Sequence, residues 1–250
     1  MKKNPLIEIS NLTKIYPRSK EPAVDNLCLN IYEGEIFGLL GPNGAGKTTT
    51  LSVLCNLIAP TKGYCNINGY CVLNEFDRIK PLIGVVSQDI ALYPTLTAYE
   101  NLRYFGSMFD LPKNELKERI FTLLEKMGLL KYKDEKIKHF SGGMKRRVNL
   151  LAGILHMPKI VILDEPTVGI DVQSRIVILD YLEMLNHNGM TLLYSSHMLD
   201  EAEKFCSRIA IIDNGKIISK GTSQELIMQG DGFKNLEDVF LYLTGRNVRD

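Results

Sequence analysis

The stretch Gly41-Pro42-Asn43-Gly44-Ala45-Gly46-Lys47-Thr48 constrains this chain more than any other feature. It fits G-x-x-x-x-G-K-[ST], the loop in which a strand turns into a helix around the phosphates of a nucleotide. Glycines let successive backbone N–H groups converge on one point and form an anion nest. The Lys47 ammonium can reach the β- and γ-phosphates, and the Thr48 hydroxyl can ligate Mg²⁺. The flanks agree. Ile36, Phe37, Leu39 and Leu40 form a short apolar run, and Leu51, Leu54, Cys55 and Ile58 recur at i, i+3, i+4 and i+7. The predicted helix therefore begins under the phosphates, with its positive dipole end toward them. A glycine-rich turn that binds nothing would match all eight positions by chance in about 1% of chains this long.

Such a loop needs a sheet around it, and 250 residues are ample for one large domain or two small ones. Hydrophobic content of 45% and charged content of 24% are those of an ordinary soluble protein. A net charge of +1 supplies no attraction to nucleic acid or to an anionic membrane, so no nucleic-acid partner is expected. No run approaches 18 apolar residues, and Met1-Lys2-Lys3-Asn4-Pro5 lacks the apolar segment of a signal peptide. The five cysteines (28, 55, 65, 71, 206) show no metal-ligand spacing, and Cys55 falls on an apolar helix face. A cytosolic chain is expected.

Residues 6–9, 23–31 and 35–40 read as strands, the last running into the P-loop. Tyr16, in the polar loop between the first two, is either a half-buried packing residue or a platform for an adenine ring. Residues 64–70 form a further strand region with Asn68-Gly69 as hairpin signal, and 83–86 is an apolar strand ending at Ser87-Gln88. At the carboxyl end of a strand Gln88 can point into a nucleotide crevice. From 97 to 158 the pattern is helical. Thr97-Ala98-Tyr99-Glu100 opens a helix to about Phe109, and a second runs from Pro112 to Met127-Gly128. Ser141-Gly142-Gly143 opens a third, packed through Val148, Leu151, Ala152 and Leu155. A Ser141 N-cap alone does not explain paired glycines, which weaken a first turn by roughly 1 kcal/mol each. Backbone access to a second anion does.

Residues 159–163 form a buried strand closing with Asp164-Glu165-Pro166, two acids delivered to a phosphate crevice. Asp164 suits the acid that holds Mg²⁺, and Glu165 the base that polarises attacking water. A helix at 172–185 follows, then a strand at 190–195 with His197 just beyond it, where a γ-phosphate is a natural partner. A hairpin pairs 208–213 with 216–219 around Asn214-Gly215. The closing amphipathic helix shows Leu236, Val239, Phe240 and Leu243 on one stripe and ends at Gly245.

This constellation resembles the ATP-binding subunit of an ABC transporter over nearly the whole chain. By that resemblance Ser141-Gly142-Gly143 matches the signature motif, Gln88 the Q-loop, Asp171 the D-loop and His197 the switch histidine. Tyr16 takes the adenine, Gly41 to Thr48 with Thr49 bind ATP, and Thr48, Gln88 and Asp164 hold Mg²⁺. The resemblance implies an α/β fold: a P-loop NTPase core sheet with an N-terminal antiparallel β subdomain and an inserted α-helical subdomain. It implies one ABC ATPase domain over 1–250, with a core of 1–87 and 159–222, helices at 88–158 and a tail at 223–250. It further implies a peripheral protein on the cytoplasmic face of the membrane, serving a separate permease chain. Two cassettes, identical or different, would sandwich two Mg·ATP head to tail. Met144 stands where the family's signature usually has Gln, and Val172 where a Pro is common. The sequence around Leu236 to Leu241 with Thr244-Gly245-Arg246, and Glu165 to Asp171, is similar to ATPases paired with six-helix export permeases. The alternatives are an import subunit and a soluble ABC ATPase acting on nucleic acid or ribosomes. The latter usually carry two cassettes, a coiled-coil insertion or zinc cysteines, and a GTPase would need Asn-Lys-x-Asp; none is present.

Overall fold

Alternation of buried and exposed residues sets the first sheet. The computed structural model describes residues 4–230 and 232–245, so Met1, Lys2, Lys3 and Arg246 lie outside the described residues. Strand β1 (Ile7–Lys14) pairs antiparallel with β2 (Val24–Ile31), Ile7 opposite Ile31 and Ile9 opposite Leu29, all four buried. Period-two side chains thus share one apolar face. β1 runs further than residues 6–9 because Asn11, in the left-handed region at φ 49°, forms a bulge beyond which pairing resumes at Leu12.

Strand β3 (Ile36–Leu40) buries all five residues, which marks it as a central parallel strand. Helix α1 (Lys47–Leu54) follows the P-loop. It is shorter than the apolar spacing to Ile58 predicts, because Asn56 turns into the left-handed region at φ 53° and ends it. β4 (Lys62–Ile67) joins β1 on the side away from β2, and β5 (Tyr70–Cys71) returns through Asn68 and Gly69, both at positive φ. A short helix, α2 (Phe76–Ile79), closes this stretch.

Residues 80–190 form a compact unit of their own. In it β6 (Ile83–Val86) runs parallel to β7 (Ile160–Asp164), with Val86 opposite Leu163. The intervening helices are α3 (Ala98–Gly106), α4 (Lys113–Lys126) and α5 (Gly142–Ile154), and α6 (Val172–His187) follows β7. A complete Thr97/Glu100 capping box starts α3, and Asp171 caps α6 through the Ser174 N–H at 2.8 Å. α5 packs against β6, and Gly84 is needed there because a Cβ would strike the Gly153 carbonyl.

The other unit, residues 1–79 with 191–250, takes up the chain again at β8 (Thr191–Ser196). β8 and β9 (Arg208–Asp213) flank β3 as parallel neighbours, and β10 (Lys216–Gly221) pairs antiparallel with β9 through a turn at Asn214 and Gly215. Two short helices, α7 (Leu199–Phe205) and α8 (Ser223–Ile227), were not evident from periodicity. The last helix, α9 (Leu236–Thr244), buries Leu236 and Val239 and half-buries Phe240 and Leu243.

Candidate nucleotide site

In the first unit the chain leaves β3 at Leu40 and enters the P-loop. Gly41 lies so close to β9 that a Cβ would strike the Ile212 carbonyl. Gly44 and Gly46 adopt φ 78° and 106°, a region that L side chains avoid, and this is what turns the loop inward. The Lys47 ammonium folds back over the loop, donating to the carbonyls of Gly41 at 2.8 Å and Pro42 at 3.2 Å. No side-chain hydrogen bond caps the start of α1, and a helix start of this kind favours an anion through its dipole. Thr48 is exposed in that first turn.

Register places the histidine. Leu40 pairs with Ser196 in the β3–β8 ladder, so His197 follows at the strand end beside the P-loop and is exposed. Tyr16 is also exposed, and its hydroxyl lies 3.3 Å from Thr49 Oγ1 on α1. Tyr16, residues 41–49 and His197 therefore gather at one end of this sheet.

The second unit gathers the acids. β6 and β7 are parallel, so Gln88 and Asp164-Glu165 emerge from the same ends of the two strands. Gln88 is exposed, whereas Asp164 and Glu165 are only 9% and 5% exposed. Glu165 holds φ 47°, an unusual backbone state for a non-glycine residue and a form of strain that clusters at functional sites. Ser141 caps α5 by accepting the Met144 N–H at 3.2 Å, a bond that asks nothing of the residue 144 side chain. Asp171 caps α6, and the Ser174 backbone N–H holds its carboxyl below the usual range.

Two expectations change. Of the paired glycines, Gly142 is open, but Gly143 is buried where a Cβ would collide with the Ser174 hydroxyl and Asp171. Gly143 thus serves the close approach of α5 to the start of α6, in addition to any backbone access. Ala152, expected on the packing face of α5, is only half-buried, and Leu150 and Ile154 fill that face with Val148, Leu151 and Leu155.

Arg146 and Asn149 escaped the sequence reading. Both are buried on α5 and bond the backbone on either side of Gln88. Their signal was available: two polar residues three apart, interrupting an apolar helix face.

The donor chemistry suits Mg²⁺. Thr48, Gln88 and Asp164 offer hard oxygen donors, and no group of three His, Cys, Asp or Glu among the described residues could hold a metal by itself. Hard oxygen donors of this kind are those that Mg²⁺ takes, a cation that keeps several waters in its shell.

An anion nest opening a helix, with a strand-end Asp-Glu pair, defines a P-loop ATPase. The ABC transporter family model matches residues 24–168. The linearmycin resistance ATP-binding protein LnrL of Bacillus subtilis is 43% identical over 245 residues, 98% of this chain and 76% of that protein. NatA, an ABC transporter ATP-binding protein of the same organism, is 33% identical over 227 residues, 90% and 92% of the two chains. The structure of an ATP-binding subunit of an ABC transporter superposes with a TM-score of 0.87 at 28% identity, over 95% of this chain and 99% of that one. A dimeric cassette in a post-hydrolysis state, bound to ADP and Pi, superposes at 0.79, again at 28% identity, over 86% and 98%. The chain belongs to the ABC transporter family, as an ATP-binding and ATP-hydrolysing subunit whose hydrolysis is coupled to transport. Such a subunit works with a membrane permease. No helix among the described residues is long and apolar enough to cross a membrane.

Proposed function

We propose that this subunit powers an export permease from the cytoplasmic face of the membrane, through ATP-driven, head-to-tail pairing of two cassettes. The support for export comes from relatives whose names state it, among them Nod factor export ATP-binding proteins at 38% and 36% identity. The observation that carries the enzymology is the P-loop with its uncapped helix and folded-back lysine.

In this reading the Gly41 to Lys47 backbone and the Lys47 ammonium bind the β- and γ-phosphates, with Thr49 alongside and Tyr16 stacking on adenine. Thr48, Gln88 and Asp164 hold Mg²⁺, which when bound neutralises charge on the phosphate oxygens. A Glu165 carboxylate oxygen accepts a proton from the attacking water, and His197 orients the γ-phosphate. The Ser141 hydroxyl with the Gly142 and Gly143 N–H groups caps the γ-phosphate held by the opposite cassette, and Asp171 lines the same junction. Domain roles follow: 1–87 and 159–222 act as the ATPase core, 88–158 as the helical part facing the permease, and 223–250 as a tail.

The test is Glu165→Gln, which keeps size and hydrogen-bonding reach but removes the proton acceptor. It should bind Mg·ATP, hydrolyse it about 10²-fold more slowly, and accumulate as ATP-dependent dimers in size-exclusion chromatography with light scattering. A tryptophan at position 141, Ser141→Trp, should abolish those dimers. A protein that stays monomeric at saturating ATP would point to pairing with a different cassette, and wild-type hydrolysis would remove Glu165 as the base.

A further inference from the structure

The eleven residues between β6 and α3 have no regular structure beyond one bridge at Thr97, so most of their backbone polar groups have no ladder to join. Three buried side chains serve instead. Arg146 Nη1 donates to the Ser87 carbonyl at 3.0 Å, and Asn149 Oδ1 accepts the Ala91 N–H at 3.0 Å. Asn101 on α3 holds the far end, accepting the Tyr93 N–H at 2.8 Å and donating to the Tyr93 and Thr97 carbonyls at 3.1 and 2.9 Å. Within the loop the Ser87 hydroxyl donates to the Asp89 carbonyl at 2.7 Å.

Arg146 and Asn149 are 6% and 4% exposed and sit one turn apart on one face of α5. Their two bonds fall at Ser87, one residue before Gln88, and at Ala91, three residues after it, so that Gln88 lies inside the bracket they make. A guanidinium is a poor choice for mere packing at such a place. Burial works against its charge, only Asp89 opposes that effect, and its Nε is buried with no acceptor. An apolar side chain would fill the same face without this cost. The arrangement has a use other than stability.

We infer that Arg146 and Asn149 are positioning residues for Gln88. They pin both sides of its loop to the helix that Ser141 caps, so the Gln88 amide is held where α5 holds it. A displacement of α5 is passed to Gln88 through two hydrogen bonds. The inference rests on the reading of Gln88 as a ligand of the nucleotide's metal.

The experiment uses the chain with four variants at these two positions and Gln88→Ala as a fifth. Arg146→Met and Asn149→Leu keep volume and remove the hydrogen bond, while Arg146→Lys and Asn149→Asp keep a donor and an acceptor respectively. Amide exchange at 87–92 should quicken in Asn149→Leu while amides of α5 and α1 keep their wild-type rates. The apolar variants should lose about tenfold in kcat and need more Mg²⁺ for half-maximal activity, and the conservative pair should recover to within about threefold. In a Gln88→Ala background the loss should vanish, because the group being positioned is gone. If Arg146→Met does not fold, Asn149→Leu carries the comparison. Faster exchange with kcat unchanged, or the same loss in the Gln88→Ala background, overturns the positioning role. Wild-type activity of Gln88→Ala alone would instead remove Gln88 from the site, and the inference with it.

Discussion

Lys47 shows how a single side chain carries a whole function. Its ammonium is buried over the P-loop and held by two carbonyls, so it is pre-placed rather than recruited. Lys47→Ala should cut ATPase activity by about 10²-fold or more, measured as phosphate release, while the thermal midpoint without nucleotide changes little. Wild-type turnover would sink the site assignment. His156 is a quieter case. It stacks on Phe109 at 3.7 Å between ring centroids and its Nε2 lies 2.9 Å from the Ile83 carbonyl, leaving Nδ1 buried without a partner. Burial, and to a lesser degree Arg119, lowers its pKa below the ordinary imidazole value. The unfolded chain therefore takes up this proton before the folded one does. Stability from this residue is full above about pH 6.5 and is lost as pH falls toward the folded-state value. Urea midpoints at pH 7.5 and 5.5 should converge in His156→Phe relative to wild type.

At the scale of elements, the junction of α5 with α6 separates two glycines that look equivalent in sequence. Gly143→Ala drives a methyl group into Ser174 and Asp171, whereas Gly142→Ala comes no nearer than an ordinary 4.0 Å contact with the Gly169 carbonyl. Overpacking of this kind costs about 1–3 kcal/mol, so urea unfolding should show Gly143→Ala clearly destabilised. Gly142→Ala should be neutral or slightly stabilising through helix propensity, by up to about 1 kcal/mol. Equal effects would mean that the close approach of the two helix starts is not what selects glycine. The same junction explains why Asp171 matters structurally: it caps α6 through the Ser174 N–H before any nucleotide is considered.

At the scale of the whole molecule, a subunit of this kind needs a surface on which a permease docks. In the sequence, the stretch from Ile90 to Pro94 with the start of the Thr97 helix suggests a receiving surface, through the apolar run Ile90-Ala91-Leu92-Tyr93 and with Leu92 as the residue to test. The structure corrects that detail, since Leu92 is 8% exposed and belongs to the core. Tyr93 is 46% exposed, and its hydroxyl meets that of exposed Tyr104 at 3.3 Å. We propose this tyrosine pair as the outward face of the docking surface. Tyr93→Glu should leave ATPase activity of the isolated subunit within about twofold and abolish transport in permease-containing vesicles. Unchanged transport would place docking elsewhere, and a charge at Leu92 would report only on stability.

Most of the fold was legible because its signals are local. The P-loop, the strand preceding it, the Thr97 capping box and the Asn-Gly turns are each specified by neighbours in the chain, and each formed as the pattern predicted. The short helices α7 and α8 were not, since five to seven residues are too few for a helical period to show. For α8 the Thr222/Glu225 capping box was nevertheless there to be read. The chemistry of the site came from residue types in order along the chain. What each residue packs against did not. That Gly41 lies on the Ile212 carbonyl, that Gly143 faces Ser174, that Leu92 points inward and that Arg146 and Asn149 hold the Gln88 loop depend on partners 31 to 171 positions away or on which side of a loop faces the core. No periodicity encodes such contacts, because packing is decided between elements and only once they have met.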